Sequence, residues 1–290
     1  MKKVNILNLE QFHDHDTSEE FHANTLSNHL ITRHKDIYLP HKHNFYLSVL
    51  FTKGTGIHEI DFRSYEVKPG ALFFLNPGQT HHWELSPAAD GYIFFHSQNF
   101  YDLHYTRNRL SSFPFYYSIH SNPCIYLNKV KLKTAVTFFE MILKEYQNNK
   151  TFANESLISL TDLVYNESSR AYMLQNPAIL NNKDKYYVKF RSFEELIEGN
   201  FREYKLPSQY ADMLNMTSKH LNRITQAVVG KTASDVILER IILEAKKEII
   251  LQKQGFAEIA YLLGYDDYAY FSRLFTKKTG TTPSEFLKRY

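Results

Sequence analysis

Side chains that could contact the bases or phosphates of a nucleic acid recur on one side of a short segment near residue 270. Phe271, Leu274 and Phe275 repeat at helical spacing, so this apolar face is expected to point inward. The positions left for the free side are Tyr268, Ala269, Ser272, Arg273 and Lys277. A guanidinium can donate two hydrogen bonds to guanine O6 and N7 or hold a backbone phosphate, and both roles remain open for Arg273. Lys277 is expected near a phosphate.

A weaker copy of this pattern lies upstream, in residues 206–230. Leu221, Ile224 and Val228 give the inward face of a predicted helix. Its outward positions carry the donors Lys219, Asn222 and Arg223. A side-chain amide both donates and accepts, so Asn222 suits adenine.

Glycine and capping residues divide each copy into two short helices joined by a tight turn. In the second copy Gly264 is expected to end one helix, and Asp266 is the expected N-cap of the next, with Asp267 in its first turn. In the first copy Asn215 takes the place of the glycine and Thr217 is the expected cap. Two short helices joined in this way, the second basic on its free side, are the pattern of a helix-turn-helix.

One continuous helix is predicted between the two copies. Ile237, Ile241, Ala245 and Ile249 recur every four residues within residues 234–252. The helix would have about 19 residues and span about 28 Å at 1.5 Å per residue. B-DNA presents the same groove face about every 34 Å. Two rigidly linked recognition helices could therefore enter successive major grooves from one side.

The stretch from Lys205 to Tyr290 resembles the DNA-binding domain of AraC-type transcription regulators. The segments that carry the resemblance are Glu258-Ile259-Ala260, Leu263-Gly264-Tyr265, Tyr270-Phe271-Ser272-Arg273-Leu274-Phe275, Lys278-Thr279-Gly280 and Thr282-Pro283. The resemblance implies that Arg273 approaches DNA and that Tyr268 and Ala269 sit where the family varies its base contacts. In the first copy the implied contacting positions are Lys219, Asn222 and Arg223. RNA polymerase is a further candidate partner.

Length, composition and charge limit the number of domains and the classes of function that this chain could have. A chain of 290 residues that is 43% hydrophobic can bury one large or two ordinary cores. Residues 185–290 carry a balance of +4 and the remainder a balance of −1, so the basic end is the one with the helix-turn-helix pattern. The single cysteine, Cys124, is expected to be an ordinary buried thiol, and a cytoplasmic protein is expected. We find no catalytic motif and predict neither an enzyme nor a cofactor.

Short β-rich runs with Gly and Pro turns fill the region from Leu30 to His96. The runs are 46–51, 57–60, 72–75 and 91–95. This spacing predicts a barrel or jelly roll. Residues 1–28 are polar and His-rich, and we expect a weakly ordered lead-in that could include one strand.

The order of segments in this region resembles the cupin-like sensor domain that often precedes an AraC-type DNA-binding domain. Metal-binding cupins carry a His-x-His pair, a downstream Glu and a later His. His41 and His43 would be the pair and His81 the last ligand, whereas Leu47 and Ser48 stand where the Glu would be.

These histidines have three open interpretations. They could be polar side chains at a barrel mouth, or they could line an effector pocket made of His41, His43, His81 and Trp83. They could also hold iron, zinc, nickel or copper, which imidazole suits. We predict no metal, with His41, His43 and His81 as the candidate ligands if one binds.

After Pro123 the hydrophobic period becomes helical. A regular seam is formed by Leu132, Val136, Phe139, Leu143 and Tyr146, and a second helix is predicted from Asn154. These helices could simply pack on the barrel or could also form a dimer contact. Residues 177–189 are polar and are the expected linker. An amphipathic helix, 190–204, would then open the second domain.

The predicted fold is therefore α+β with two domains. Residues 1–176 would form a β-barrel (cupin-like) with following helices, for effector sensing and dimerisation. Residues 190–290 would form an all-α double helix-turn-helix domain that binds double-stranded DNA. The predicted function is a homodimeric regulator controlled by a small-molecule effector. The alternatives are a metal-dependent cupin enzyme with an appended DNA-binding domain, and a DNA-binding protein that needs no effector.

Overall fold

The chain is described by a computed structural model that covers residues 5–12, 20–32, 39–102, 110–116, 118, 121–148, 151–176 and 185–289. Its described residues form two compact units, 5–176 and 185–289. No helix within the described ranges is long and apolar enough to cross a membrane.

The first unit is built on two five-stranded sheets among its described residues. The strands are β1 Asn5–Leu7, β2 Phe21–Thr25, β3 His41–His43, β4 Tyr46–Lys53, β5 Gly56–Ile60, β6 Arg63–Val67, β7 Ala71–Leu75, β8 Thr80–Leu85, β9 Asp90–His96 and β10 Cys124–Tyr126. One sheet has the order β1-β3-β8-β5-β6 and the other the order β10-β7-β4-β9-β2. The pairs are antiparallel except β1–β3, which is parallel.

Strand β4 carries apolar residues at successive positions because both of its faces are buried. Because side chains alternate along a strand, Leu47, Val49 and Phe51 share one face, and all three belong to the core between the sheets. The opposite face of the same sheet is also covered, since the Phe94 ring of β9 lies 5.1 Å from that of Phe139 in a following helix. A strand buried on both faces needs apolar residues at successive positions.

Four helices accompany the sheets in the described part of this unit. They are α1 Leu26–Thr32, α2 Gln98–Asp102, α3 Lys129–Asn148 and α4 Ala153–Gln175. The five apolar residues of the predicted α3 seam are not equally buried. Phe139 and Tyr146 are buried, whereas Leu132, Val136 and Leu143 are only half-buried. One edge of α3 thus packs on its own unit and another edge remains partly open.

The expectation of a weakly ordered lead-in is wrong for the described part of residues 1–28. Strand β2 pairs with β9 along its whole length, and Phe21 is fully buried with its ring 5.8 Å from that of Phe94. Strand β1 pairs with β3. Strand β2 was missed because it is short and only Phe21 and Ala23 of its five residues are apolar. Residues 1–4 and 13–19 lie outside the described residues.

The second unit is helical throughout its described residues. Its helices are α5 Lys185–Asn200, α6 Pro207–Met213, α7 Ser218–Val229, α8 Ala233–Leu251, α9 Phe256–Leu262, α10 Tyr268–Thr279 and α11 Pro283–Leu287. The connecting helix α8 has 19 residues, which confirms the predicted helix to within one residue at each end.

Helix α5 begins at Lys185, so the predicted linker 177–189 and the predicted helix 190–204 are both corrected. Residues 177–184 of that linker lie outside the described residues. The early start is explained by tertiary contact, because the ring of Tyr186 lies 5.7 Å from that of His220 in α7. Packing of this kind stabilises a helix more than sequence propensity does.

A buried arginine fastens α5 to α8. Arg240 is 8% exposed and donates to both carboxylate oxygens of Glu198, at 2.6 and 2.8 Å. Its third hydrogen bond, 3.0 Å, goes to Glu244, and its guanidinium lies 4.2 Å from the centre of the Phe201 ring. The bond from Arg240 lowers the pKa of Glu198. Bidentate pairs of this geometry fix the angle between two helices.

Candidate nucleic-acid interface and effector site

The second helix-turn-helix consists of α9, a left-handed turn at Gly264 and α10. Gly264 has φ +77°, and the next amide, Tyr265 N–H, donates to Ala260 O at 3.0 Å. The cap of α10 is Asp267, one residue later than predicted, and its carboxylate accepts from the N–H groups of Ala269 and Tyr270 at 2.7 and 3.3 Å. Asp266 is therefore left in the turn.

The predicted contact residues of α10 lie on its outer side. Tyr268, Ala269, Arg273 and Lys277 are exposed, whereas Ser272 is half-buried. Among the described residues no carboxylate lies within 4.0 Å of Arg273 or Lys277. These cations are therefore available to a polyanion.

Tyr270 was missed as a candidate contact, although it is 52% exposed. It was counted only as part of the family signature. Its position three residues before Arg273 on the same helix is the signal that would have found it.

The first helix-turn-helix consists of α6, a turn at Asn215 with φ +50°, and α7. Thr217 caps α7 as predicted, accepting from His220 N–H at 3.2 Å. Lys219 and Arg223 are exposed, in agreement with a role at the surface.

The structure gives Asn222 a second role. Its Oδ1 accepts the Ala233 N–H at 2.8 Å and so holds the start of α8 against α7. A bidentate contact with adenine needs both the oxygen and the nitrogen of the amide. Asn222 could contribute only its N–H₂ group to DNA without releasing Ala233.

Arg223 belongs to a cluster that crosses from α7 to α5. Its guanidinium lies 5.8 Å from the centre of the Tyr186 ring and 2.7 Å from Nδ1 of His220. The other ring nitrogen of His220 lies 3.4 Å from Lys189 Nζ. Tyr186 and Lys189 were missed because they fall in the predicted linker.

In the first unit, strand register brings all four predicted effector-site residues together. His41 pairs directly with His81, and His58 pairs with Trp83, so these side chains meet inside the barrel. The rings of His41 and His43 lie 4.2 and 5.1 Å from that of His81, which lies 5.1 Å from Trp83. All five residues are at least 97% buried.

His58 completes this cluster and was missed by the sequence reading. Its Nε2 lies 2.9 Å from Nδ1 of His81, so one of the two nitrogens donates to the other. The available signal was strand alternation, because His58 is two residues from Ile60 and must share its buried face.

Burial holds the cluster in its neutral form. Desolvation lowers the pKa of His41 to about 4, and desolvation together with the nearby His41 lowers that of His43 to about 3. For His58 the pKa is also lowered well below its usual value, mainly by burial. The ring orientations of the first two are fixed, since Nδ1 of His41 donates to Leu39 O at 2.9 Å and Nδ1 of His43 to Phe45 O at 2.7 Å.

Within the described residues no group of three or more His, Cys, Asp or Glu side chains is arranged to hold a metal ion. A groove of this unit lies between α3 and α4, and its lining includes Phe138, Val164, Lys131 and Glu167. Cys124 is buried as expected, and burial raises the pKa of its thiol to about 12, so the thiol is unreactive.

Two regions of the chain match known domain families. Residues 30–97 match the family described as AraC-like ligand binding domain, and residues 210–289 match a family of helix-turn-helix domains. The first region contains the histidine cluster, and the second contains α7 and α10.

The chain is also similar to characterised proteins and to solved structures, over different lengths. The transcriptional activator RhaR of Escherichia coli is 20% identical over 262 residues, which is 87% of this chain and 88% of RhaR. The bifunctional transcriptional activator and DNA repair enzyme AdaA of Bacillus subtilis is 33% identical over 92 residues, and the match spans 32% of this chain and only 44% of AdaA. The structure of ToxT from Vibrio cholerae is 12% identical, with a TM-score of 0.46, and covers 92% of this chain and 98% of its own. The chain belongs to the AraC family of transcription regulators, with a ligand-binding domain followed by a helix-turn-helix DNA-binding domain.

Proposed function

We propose that this regulator binds a specific operator through α7 and α10 and responds to a small molecule held in the barrel. The observation that supports operator binding is the outer face of α10. There Arg273 and Lys277 are exposed and have no carboxylate partner among the described residues, on a helix whose turn and cap are both formed. Arg273, Tyr268 and Ala269 would meet base edges, and Lys277 would meet a phosphate.

Replacement of Arg273 by Ala is expected to cost roughly 1–3 kcal/mol of operator binding, about 5- to 150-fold in Kd, with no change in thermal stability. The fold should survive because the side chain has no described intramolecular partner. Binding is measured by fluorescence anisotropy on DNA from upstream of the coding sequence, with random duplex as competitor and over a range of salt concentrations.

Arg273→Lys decides between the two roles of this arginine. Lysine keeps the charge but cannot make the bidentate bond to guanine, so base reading predicts a loss close to that of Arg273→Ala. A phosphate contact predicts near-normal binding. Wild-type protein that binds all DNA equally would contradict operator-specific binding.

We assign the effector to the histidine cluster. Nε2 of His43 is buried and has no hydrogen-bond partner among the described residues, and with Nδ1 protonated it can only accept. An effector that donates an O–H or N–H group would satisfy it. Because Trp83 is the only tryptophan and lies in this cluster, effector binding should change its fluorescence. A ligand that raises the melting temperature without altering Trp83 emission would bind elsewhere, for example in the α3–α4 groove.

We propose that the chain acts as a homodimer without catalysing a reaction. The support for the dimer is the half-buried edge of α3, which leaves Leu132, Val136 and Leu143 partly open. A monomer mass in sedimentation at micromolar concentration would exclude the dimer.

Stoichiometric metal that is lost in His41→Ala would revive the alternative of a metal-dependent enzyme. The domain boundaries we propose are residues 1–176 and 185–290, and the proposed location is the cytoplasm.

A further inference from the structure

The first turns of α5 and the first half of α7 bring two cations close to a histidine ring, with no carboxylate between them. Lys189 comes from α5, and His220 and Arg223 come from α7. The ring of Tyr186 is inclined by 75° to that of His220 and also faces the Arg223 guanidinium. Among the described residues neither Lys189 nor Arg223 has an acidic side chain within 4.0 Å.

Within the protein, this cluster has more hydrogen-bond donors than acceptors. An ammonium and a guanidinium can only donate, and a neutral imidazole has a single accepting nitrogen. Yet both nitrogens of His220 face such donors, Arg223 Nη2 at 2.7 Å and Lys189 Nζ at 3.4 Å. Only one of the two can be a hydrogen bond. Desolvation, Arg223 and Lys189 together lower the pKa of His220, so the ring does not share the positive charge.

We propose that a DNA backbone phosphate occupies this cluster and is held by Lys189 and Arg223, with Tyr186 orienting the guanidinium. A phosphate supplies the accepting oxygens that the protein itself does not. DNA is favoured as its source because the cluster lies on α7, the helix whose outer side also carries Lys219. The inference rests on the proposed DNA-binding function and adds to it a contact from Lys189, which lies outside both helix-turn-helix units.

This contact would place the first residues of the DNA-binding unit on the DNA itself. Lys189 lies in the second turn of α5, and the same helix is joined through Glu198 to Arg240 of α8. A phosphate at its start would therefore fix the helix that precedes both recognition helices. Such a contact positions the protein and carries no sequence information.

Lys189→Gln in the full-length chain tests the proposal. We expect the slope of log K against log salt to become shallower by about one unit, and the affinity at about 0.1 M salt to fall by up to about tenfold. Upstream DNA and a random duplex should lose affinity by the same factor, because a phosphate contact does not read sequence. The matched control is Arg191→Gln, which removes one charge from the same helix but from a side chain already paired with Glu195 at 3.0 Å. This control should leave the slope unchanged.

The possible results separate this inference from the proposed function. A wild-type slope in Lys189→Gln, or a loss confined to upstream DNA, overturns the phosphate site while leaving DNA binding intact. An equal change of slope in Arg191→Gln also overturns it, because the effect is then one of net charge alone. Wild-type protein that binds neither duplex overturns both proposals. A shallower slope in Lys189→Gln only, equal on both duplexes, supports the phosphate site.

Discussion

Gly264→Ala is expected to destabilise the DNA-binding unit by roughly 2–5 kcal/mol and to abolish DNA binding on mild heating. About 1–2 kcal/mol comes from a side chain at φ +77°, and about 1–3 kcal/mol from overpacking. A Cβ at this position would lie 1.9 Å from the carbonyl oxygen of Arg202. That oxygen cannot move easily, because it accepts from Lys205 Nζ at 2.6 Å. For a unit of this size the loss is a large share of its total stability.

Gly280→Ala is the matched control for this substitution. Gly280 also has φ +77°, but a Cβ there would meet nothing within 4 Å. The difference between the two variants therefore isolates the close approach to Arg202. Thermal melting followed by circular dichroism at the helical band should show a fall of about 10 °C or more for Gly264→Ala and a smaller one for Gly280→Ala. Equal falls would mean that the turn conformation, and not the contact, determines the need for glycine.

Acidification from pH 7.5 to pH 5 is expected to destabilise the barrel unit by several kcal/mol. Burial lowers the pKa of His41 to about 4, of His43 to about 3 and of His96 to about 4. Between these values and the usual 6.5, the unfolded chain binds protons that the folded chain does not. Stability is therefore fully present above pH 6.5 and falls as the pH decreases, by about 1.4 kcal/mol per pH unit for each such histidine.

The emission of Trp83 gives a specific measurement of this effect, because it reports unfolding of the barrel alone. Urea titrations at pH 7.5, 6.0 and 5.0 give the slope of the unfolding free energy with pH. His58→Gln removes one buried titrating group and should reduce that slope, even if it lowers stability at every pH. An unfolding free energy that is constant between pH 7.5 and pH 5 would contradict the neutral cluster.

Local patterns predicted the DNA-binding unit more completely than the barrel. The periodic apolar faces, the cap at Thr217 and the turns at Asn215 and Gly264 depend on neighbours within four residues, and all are present in the structure. The N-cap of α10 lies one residue later than predicted, because Asp266 and Asp267 have the same capping chemistry. What could not be predicted was contact between helices, such as the bond from Ala233 to Asn222.

The barrel depends on pairings that no local pattern contains. His58 joined the candidate site only through its register with β8, which lies more than twenty residues later. Strands β3 and β8 were also missed, because their buried faces carry histidines where a strand search expects aliphatic residues. The four predicted effector-site residues did come together, through the pairing of β3 with β8, and it was the resemblance to cupins rather than a local pattern that selected them.

The pairing pattern of the sheets also affects how fast each of the two units folds. Strand β2 cannot pair until β9 has been made, and β10, which pairs with β7, follows β7 by about fifty residues. Chains dominated by such distant contacts reach their final state slowly, whereas helical units with local contacts do so quickly. During synthesis the sensing half emerges first, yet the DNA-binding half is positioned to finish folding soon after it leaves the ribosome. A newly made regulator would then be able to bind DNA before it can bind its effector. Refolding followed by Trp83 emission and by circular dichroism at the helical band would measure the difference between the two folding times.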